Sequence, residues 1–190
     1  FFMDSDDYIE NSCFKKLTSK VKKGSHPDYI VGLHYQSRRI KNKTIKNINY
    51  CGIKKYDLTY KKLFFEKYFS NYCKYTREYC LFEHCWGRLI KSSLVKDNNI
   101  FFNEKMNQLE DILFNCDVLT KCQHIEILKE PLYNHILYGS EDRLSLRSGE
   151  NESIIKDLKK VSIKLAELYK KFASKSKNSL SSKEFISYFM

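Results

Sequence analysis

One run near the end of the chain is compatible with only one regular structure. Its apolar residues recur at intervals of four, three, four, three and four: Ile154, Leu158, Val161, Leu165, Leu168 and Phe172. This spacing predicts an amphipathic helix whose apolar stripe packs against neighbouring helices, with lysines on the other faces. A coiled-coil dimer seam is the alternative, although the run is shorter than three heptads.

The rest of the chain after residue 56 predicts further helices. Only six Gly and two Pro occur in 190 residues, and 15% of the residues are aromatic. Apolar residues at helical intervals predict helices over 58–72, 77–95, 106–113, 118–129 and 132–138, and a last short one after Ser181. The predicted fold class is therefore mainly α, a bundle of five to seven helices. A helical domain at 57–190 follows a basic, largely irregular segment at 1–56.

That N-terminal segment carries the whole charge imbalance of the protein. Between Lys15 and Lys55 there are twelve Lys and Arg against one acid, Asp28, and the net charge of the chain is +11. A short β-hairpin is predicted from the β-branched and aromatic residues at 29–31 and 45–50. The positive surface is predicted to bind anions or a partner, with a merely solvated face as the alternative. The binding residues would be Lys22, Lys23, Arg38, Arg39, Lys41, Lys43 and Lys46.

Seven cysteines predict disulfides that join helices in an oxidising compartment. The candidates are Cys13, Cys51, Cys73, Cys80, Cys85, Cys116 and Cys122. If residues 73–85 are helical, Cys80 cannot pair with Cys73 or Cys85, because the distances and directions are wrong for a disulfide. Buried free thiols are one alternative. A zinc site from Cys80, His84 and the downstream cysteines is the other, although the usual tight ligand spacings are absent.

Catalytic and membrane signatures are missing from the sequence. It contains no phosphate-binding glycine loop, nucleophile elbow, paired metal histidines or calcium loop. No apolar run approaches the roughly 18 residues of a membrane helix, and the start of the chain has no basic region typical of a signal peptide. The sequence therefore predicts a protein that is not an enzyme and needs no cofactor or metal. Trp86, the only tryptophan, is predicted to be buried and structural.

Three segments between about residues 60 and 175 resemble one family. Cys80, Phe82 and Trp86 have the spacing of a motif in the malaria-parasite interspersed-repeat (PIR, VIR-type) variant surface proteins. The segment 127–133 is similar to the short helix of that family, and 165–172 is similar to its terminal helix. The resemblance implies a parasite surface or exported protein that acts outside the parasite cell.

Two functions remain open on this evidence. The first is a non-enzymatic, secreted or exported interaction protein, exposed to the host cell, that binds a host or parasite protein or a polyanion such as a sulfated glycan or anionic lipid. The second is a basic nucleic-acid-binding or ribonucleoprotein-associated protein, in which Tyr29, Tyr35 and Tyr50 would stack on bases. Free thiols would favour the second function.

Overall fold

The structure is a computed structural model that describes residues 1–21, 26–40, 43–49, 84–106, 108–137 and 151–172. Its elements in chain order are β1 (Tyr8–Ile9), α1 (Cys13–Lys20), β2 (Tyr29–Ile40), β3 (Lys43–Asn49), β4 (Arg88–Ile90), α2 (Ser92–Asp97), α3 (Glu110–Lys121), β5 (Ile125–Leu137) and α4 (Asn151–Phe172).

A five-stranded mixed sheet forms the centre of the described structure. The strand order is β1-β5-β2-β3, and β4 pairs with β2 away from this path. The two long strands β2 and β5 are parallel, whereas the other pairs are antiparallel. Parallel strands are usually covered on both faces, and the apolar residues at the start of β2 fit that environment, since Tyr29, Ile30 and Val31 are all buried.

Successive residues of β2 face two separate clusters of the core. Tyr29 and Val31 pack with residues of α3 and α4, including Phe114 and Leu165. Ile30 between them packs in the second cluster, which holds Cys13 and Leu17 of α1 together with Leu128 and Leu132 of β5. This alternation follows from the two-residue period of a strand. The sheet is therefore covered by α3 and α4 on one face and by α1 on the other.

The prediction of a mainly α bundle is wrong. Residues 118–129 and 132–138 were expected to form two helices, but α3 ends at Lys121 and β5 occupies Ile125–Leu137. The expected helix over 77–95 is also wrong over 84–91, where β4 occupies Arg88–Ile90, and a helix, α2, begins only at Ser92. The reason is physical: these short segments mix apolar and charged residues without a clear period, and pairing with β2, a long-range contact, makes them strands.

Two predicted elements are confirmed. The hairpin is present, with its strands extended to Tyr29–Ile40 and Lys43–Asn49. The apolar stripe near the end of the chain lies on α4, where Val161 and Leu165 are buried in the core. The predicted helices over 58–72 and after Ser181, and the predicted boundary between residues 56 and 57, lie outside the described residues.

The disulfide prediction is wrong for the cysteines that the structure describes. Cys13, Cys85, Cys116 and Cys122 form no disulfide and are buried, whereas Cys51, Cys73 and Cys80 lie outside the described residues. All four described thiols belong to the two apolar clusters. They act as small hydrophobic side chains, which was the alternative interpretation of the sequence.

Candidate functional site

An acidic turn at residues 4–7 is fixed against strand β5. The Tyr133 hydroxyl donates a hydrogen bond to Asp7 Oδ2 at 2.7 Å and accepts one from the Asp4 backbone N–H at 3.0 Å. The backbone N–H of Ile136 donates to Asp7 Oδ1 at 2.8 Å. His135 Nδ1 is also 3.3 Å from Asp7 Oδ2. Three residues of β5, Tyr133, His135 and Ile136, therefore fix the position of the turn.

Asp7 is an ionised anchor of this turn. Its side chain is 1% exposed, and this burial acts to raise the pKa of its carboxyl group. The hydrogen bonds from His135, Ile136 N–H and Tyr133 outweigh the burial, so the pKa of Asp7 is lowered. Since both of its oxygens are used by β5, Asp7 fixes the turn and is not available for chemistry.

Asp4, at the start of the same turn, is in the opposite electrostatic situation. The residue as a whole is exposed, but partial desolvation of its carboxyl group raises its pKa, and the negative charges of Asp7, Asp111 and Asp6 raise it further. His135 acts in the other direction. The carboxylate of Asp4 is therefore within electrostatic reach of Asp111, which belongs to a different part of the chain.

Asp111 lies in the first turn of α3. Its Oδ2 accepts a hydrogen bond from the backbone N–H of Cys85 at 3.0 Å, and its own carbonyl lies 3.8 Å from Cys85 Sγ. Burial and the negative charge of Asp111 raise the pKa of the Cys85 thiol, which is therefore neutral. No hydrogen bond or ion pair to Asp111 Oδ1 is found within the described part of the chain.

A stack of aromatic rings lies beside these carboxylates. The Trp86 ring is parallel to those of His84, Tyr133 and His135, at centroid distances of 4.5, 4.6 and 5.1 Å. The His34 ring meets Trp86 edge-on at 4.9 Å. Burial, with the nearby charges of Arg88 and His135, lowers the pKa of His34 to about 4, so its ring is neutral at pH 7.

The prediction that Trp86 is buried is confirmed, since it is 6% exposed. The prediction that Trp86 lies on a helix is wrong. Trp86 forms an isolated bridge with Phe2 and precedes Gly87, whose φ is +70°. A backbone of this kind favours glycine, because a Cβ is disfavoured at positive φ.

A buried polar chain supports the segment that holds Trp86. Arg88 is 4% exposed, and its Nη1 donates to the Tyr29 hydroxyl at 2.6 Å. The Tyr29 hydroxyl donates to Asn115 Oδ1 at 3.3 Å, and Asn115 Nδ2 donates to the His84 carbonyl at 2.8 Å. Asn115 and Asp111 are one helical turn apart on α3, so this helix holds residues 84–85 at two points.

The basic residues predicted from the sequence are not shown to be part of this cluster. The backbones of Arg38 and Arg39 lie in β2 and those of Lys43 and Lys46 in β3, whereas Lys22, Lys23 and Lys41 lie outside the described residues. Anion binding by these residues stays a prediction.

Asp4, Asp7 and Asp111 were not among the site residues predicted from the sequence. The acidic start of the chain was a visible signal, but its relation to α3 and β5 exists only in three dimensions. Among the residues that the structure describes, no group of three or more His, Cys, Asp or Glu is placed to hold a metal ion. The same residues contain no helix long and apolar enough to cross a membrane.

Comparisons with known proteins found similarity only at the level of structure. No protein-family model and no curated protein sequence matches the chain. The solved structure of S. aureus TarS 1–349 in complex with UDP-GlcNAc is similar over 100% of this chain, with a TM-score of 0.58 and 16% identity. The complex of the same protein with UDP is similar over 100% of the chain (TM-score 0.56, 16% identity), and TarS 1–349 alone over 94% (TM-score 0.54, 16% identity).

At this identity the comparisons show a shared fold. The chain spans 54%, 45% and 50% of the three TarS chains, respectively, or about half of their length. The likeness contradicts the prediction of a non-enzymatic interaction protein, because this chain shares its fold with TarS, which was solved in complex with UDP-GlcNAc. The nucleic-acid alternative finds no support in it. The resemblance to the parasite surface family and the exported location are not tested and stay predictions.

Proposed function

We propose that this chain forms part of the site of a glycosyltransferase that uses a nucleotide-activated sugar. The observation that carries the proposal is that the N-terminal segment and α3 meet at residues 85–87, where the Gly87 N–H donates to the Phe2 carbonyl at 3.2 Å and the Cys85 N–H donates to Asp111 Oδ2 at 3.0 Å. This convergence occurs in a fold shared with TarS, whose structures hold UDP-GlcNAc and UDP. Because the chain spans about half of those proteins, the activity of the whole site is part of the proposal.

The reaction needs a base on the acceptor side. An acceptor hydroxyl oxygen forms a bond to C1 of the sugar, the bond from C1 to the diphosphate oxygen breaks, and UDP leaves with that electron pair. The hydroxyl proton must pass to a nearby group in the same step. Asp111 has the required arrangement, since the Cys85 N–H fixes one carboxylate oxygen at 3.0 Å and orients the group. We assign it the role of general base.

Asp4 suits a different task. Partial burial raises the pKa of its carboxyl group, the negative charges of Asp7, Asp111 and Asp6 raise it further, and a diphosphate would add more negative charge. A divalent cation in proteins is often bound by one or two carboxylates together with substrate phosphates, and such a cation would neutralise the charge of the leaving diphosphate. Asp4 is the residue that would hold it. Since the described residues offer no complete set of protein ligands, the phosphates would have to complete the coordination.

The remaining residues of the site orient these two carboxylates. Tyr133 and Asp7 fix the turn that contains Asp4. Asn115 and Tyr29, together with the buried cation of Arg88, fix the segment that holds Asp111 through Cys85. Groups that are held before substrate arrives need no reorganisation during the reaction, which is the main source of electrostatic catalysis.

The test measures UDP release from UDP-GlcNAc in the presence of Mn²⁺, and UDP binding by calorimetry. Asp111→Asn should lower kcat by about 10²–10⁴-fold, the usual contribution of a general base, with little effect on UDP binding. Asp117→Asn is the matched control, because Asp117 lies on the same helix and pairs with Lys164 at 2.6 Å. Its kcat should stay within about twofold of the parent, since exposed ion pairs contribute little.

Two results would overturn the proposal. One is the absence of both UDP binding and UDP release from the unaltered chain at millimolar nucleotide. The other is an equal loss of kcat in Asp111→Asn and Asp117→Asn, which would show that the acidic groups of α3 matter only for stability.

A further inference from the structure

We propose that Asp157 of α4 is a positioning residue that acts on Asp111 through the loop before α3. The inference rests on the proposed function for the importance of Asp111, but its structural part is independent of it. Asp157 is 3% exposed. It therefore has little access to water and must be stabilised by the groups around it.

Two of those groups are the Gln108 N–H, in the loop that leads into α3, and Lys160 of α4. Asp157 Oδ2 accepts a hydrogen bond from the backbone N–H of Gln108 at 3.3 Å. Its Oδ1 pairs with Lys160 Nζ at 3.0 Å, and the same ammonium group donates to the Lys105 carbonyl at 3.2 Å. One pair of side chains on α4 thus binds the loop both at residue 105 and at residue 108.

The held loop leads directly to an unfavourable backbone conformation. Leu109 has φ 64° and ψ 12°, in the left-handed region, and it is the residue immediately before α3. A residue with a branched side chain keeps this conformation only where its surroundings enforce it. The contact from Asp157 to Gln108 lies on one side of Leu109, and the hydrogen bond from Ile112 N–H to the Leu109 carbonyl, at 3.1 Å, lies on the other.

The left-handed residue sets the direction in which α3 begins. Asp111 follows two residues later, in the first helical turn, and its carboxylate meets the Cys85 N–H. If Leu109 relaxed to an ordinary conformation, the first turn of α3 would start at a different angle and this hydrogen bond would lengthen. Asp157 therefore determines the position of the Asp111 carboxylate although it does not touch it.

Packing alone does not explain a carboxylate at this position. α4 already docks through Val161 and Leu165, which are 1% and 0% exposed, and through the ion pair of Lys164 with Asp117. An apolar residue at 157 would avoid the cost of burying a charge. The carboxylate is needed to accept the Gln108 N–H and to place Lys160 on the Lys105 carbonyl.

The experiment compares Asp157→Ala and Asp157→Asn with Lys164→Gln as the control on the same helix. Hydrogen exchange of the Cys85 amide reports directly on its bond to Asp111. In Asp157→Ala we expect this amide to exchange about tenfold faster, the effect of losing one hydrogen bond. Asp157→Asn keeps a carbonyl oxygen for the Gln108 N–H and should restore most of the protection. Lys164→Gln should leave the Cys85 amide unchanged.

Kinetics supply the second readout. With UDP-GlcNAc and Mn²⁺, Asp157→Ala should lower kcat about tenfold, in line with the exchange effect, and leave KM within twofold. It should also change the pH profile of kcat, because the general base has moved. A purely structural role would reduce the active fraction in Asp157→Ala and Lys164→Gln alike and leave the profile unchanged.

The outcomes separate the two proposals. Unchanged Cys85 exchange in Asp157→Ala overturns the positioning role, whatever the activity. If the unaltered chain neither binds UDP nor releases it from UDP-GlcNAc, the proposed function fails, and the exchange result still decides whether Asp157 positions Asp111. If Asp157→Ala does not fold, Lys160→Ala decides, because it removes the contact with the Lys105 carbonyl: faster exchange of the Cys85 amide supports the role, and unchanged exchange contradicts it.

Discussion

Replacing Tyr133 by Phe tests whether the acidic turn depends on one hydroxyl group. Tyr133→Phe keeps the ring that stacks on Trp86 at 4.6 Å and removes the hydrogen bonds to Asp7 and from Asp4 N–H. A hydrogen bond to a charged group contributes about 1.5–3 kcal/mol and a neutral one about 1 kcal/mol. Because the Asp7 side chain is 1% exposed, water cannot easily replace the hydroxyl. We expect a loss of about 2–3 kcal/mol in unfolding free energy at pH 7.

The dependence on pH makes this prediction specific. The pKa of Asp7 is lowered in the folded protein from its ordinary 3.8. A lowered carboxyl pKa contributes stability above the unfolded value, and this contribution is lost as the pH falls through the folded value. The difference between the parent and Tyr133→Phe should therefore be complete above about pH 5 and shrink below pH 4 towards about 1 kcal/mol, when the carboxyl is protonated.

Urea unfolding followed by the fluorescence of Trp86, the single tryptophan, measures both quantities. Tyr8→Phe is the control, because Tyr8 is 41% exposed and loss of its hydroxyl should cost under about 0.5 kcal/mol. Equal stability of Tyr133→Phe and the parent at pH 7 would refute the reasoning. So would a difference that is the same at pH 7 and pH 3, since the charge of Asp7 would then play no part.

Three further predictions test other parts of the fold. Leu165→Asp should lower the unfolding free energy by over about 4 kcal/mol or prevent folding, because Leu165 is 0% exposed. Ile163→Asp should be tolerated, because Ile163 is 49% exposed. Similar melting temperatures for the two variants would contradict the packing of α4. Gly87→Ala should lower the unfolding free energy by about 1–2 kcal/mol, because φ is +70° and the new Cβ would lie 3.0 Å from Tyr133 Cβ; an unchanged melting temperature would exclude this strain. Cys116 should resist thiol reagents in the native protein, since its burial raises the thiol pKa. Rapid labelling at pH 8 without denaturant would show that the core around Cys116 opens.

The elements that could be predicted from the sequence are those whose pattern is local. The stripe that includes Val161 and Leu165 has a helical period, and α4 is a helix. The hairpin of β2 and β3 has β-branched residues on both sides of a polar turn. Strand β5 could not be predicted in this way, since its burial does not alternate: Leu132, Tyr133 and Asn134 are buried in succession, whereas Lys129 and Glu130 are both exposed. The two-residue period that marks a strand is therefore absent from its sequence.

The site could not be predicted because its groups meet only through long-range contacts. Asp4 and Asp111 lie far apart in the sequence and approach each other through β5 and the segment that holds Cys85. The charge of residues 15–55 is a signal within one segment of the chain, and it carries no information on how Asp4, Asp7 and Asp111 are placed. A surface excess of lysine indicates solvation and general anion attraction, whereas the position of a single carboxylate beside a distant segment depends on the fold.

Pro131 is a local signal for the arrangement of the site. It lies between the predicted helices 118–129 and 132–138, but within a strand a proline occurs at an edge or at a bulge, because it has no N–H to donate. In the structure, Gly32 lies opposite Leu128, Leu33 opposite Pro131, and His34 opposite Tyr133. With an unbroken register, His34 would lie opposite Glu130. The irregularity at Pro131 therefore brings Tyr133 beside His34, where its ring stacks on Trp86 and its hydroxyl holds the turn that contains Asp4.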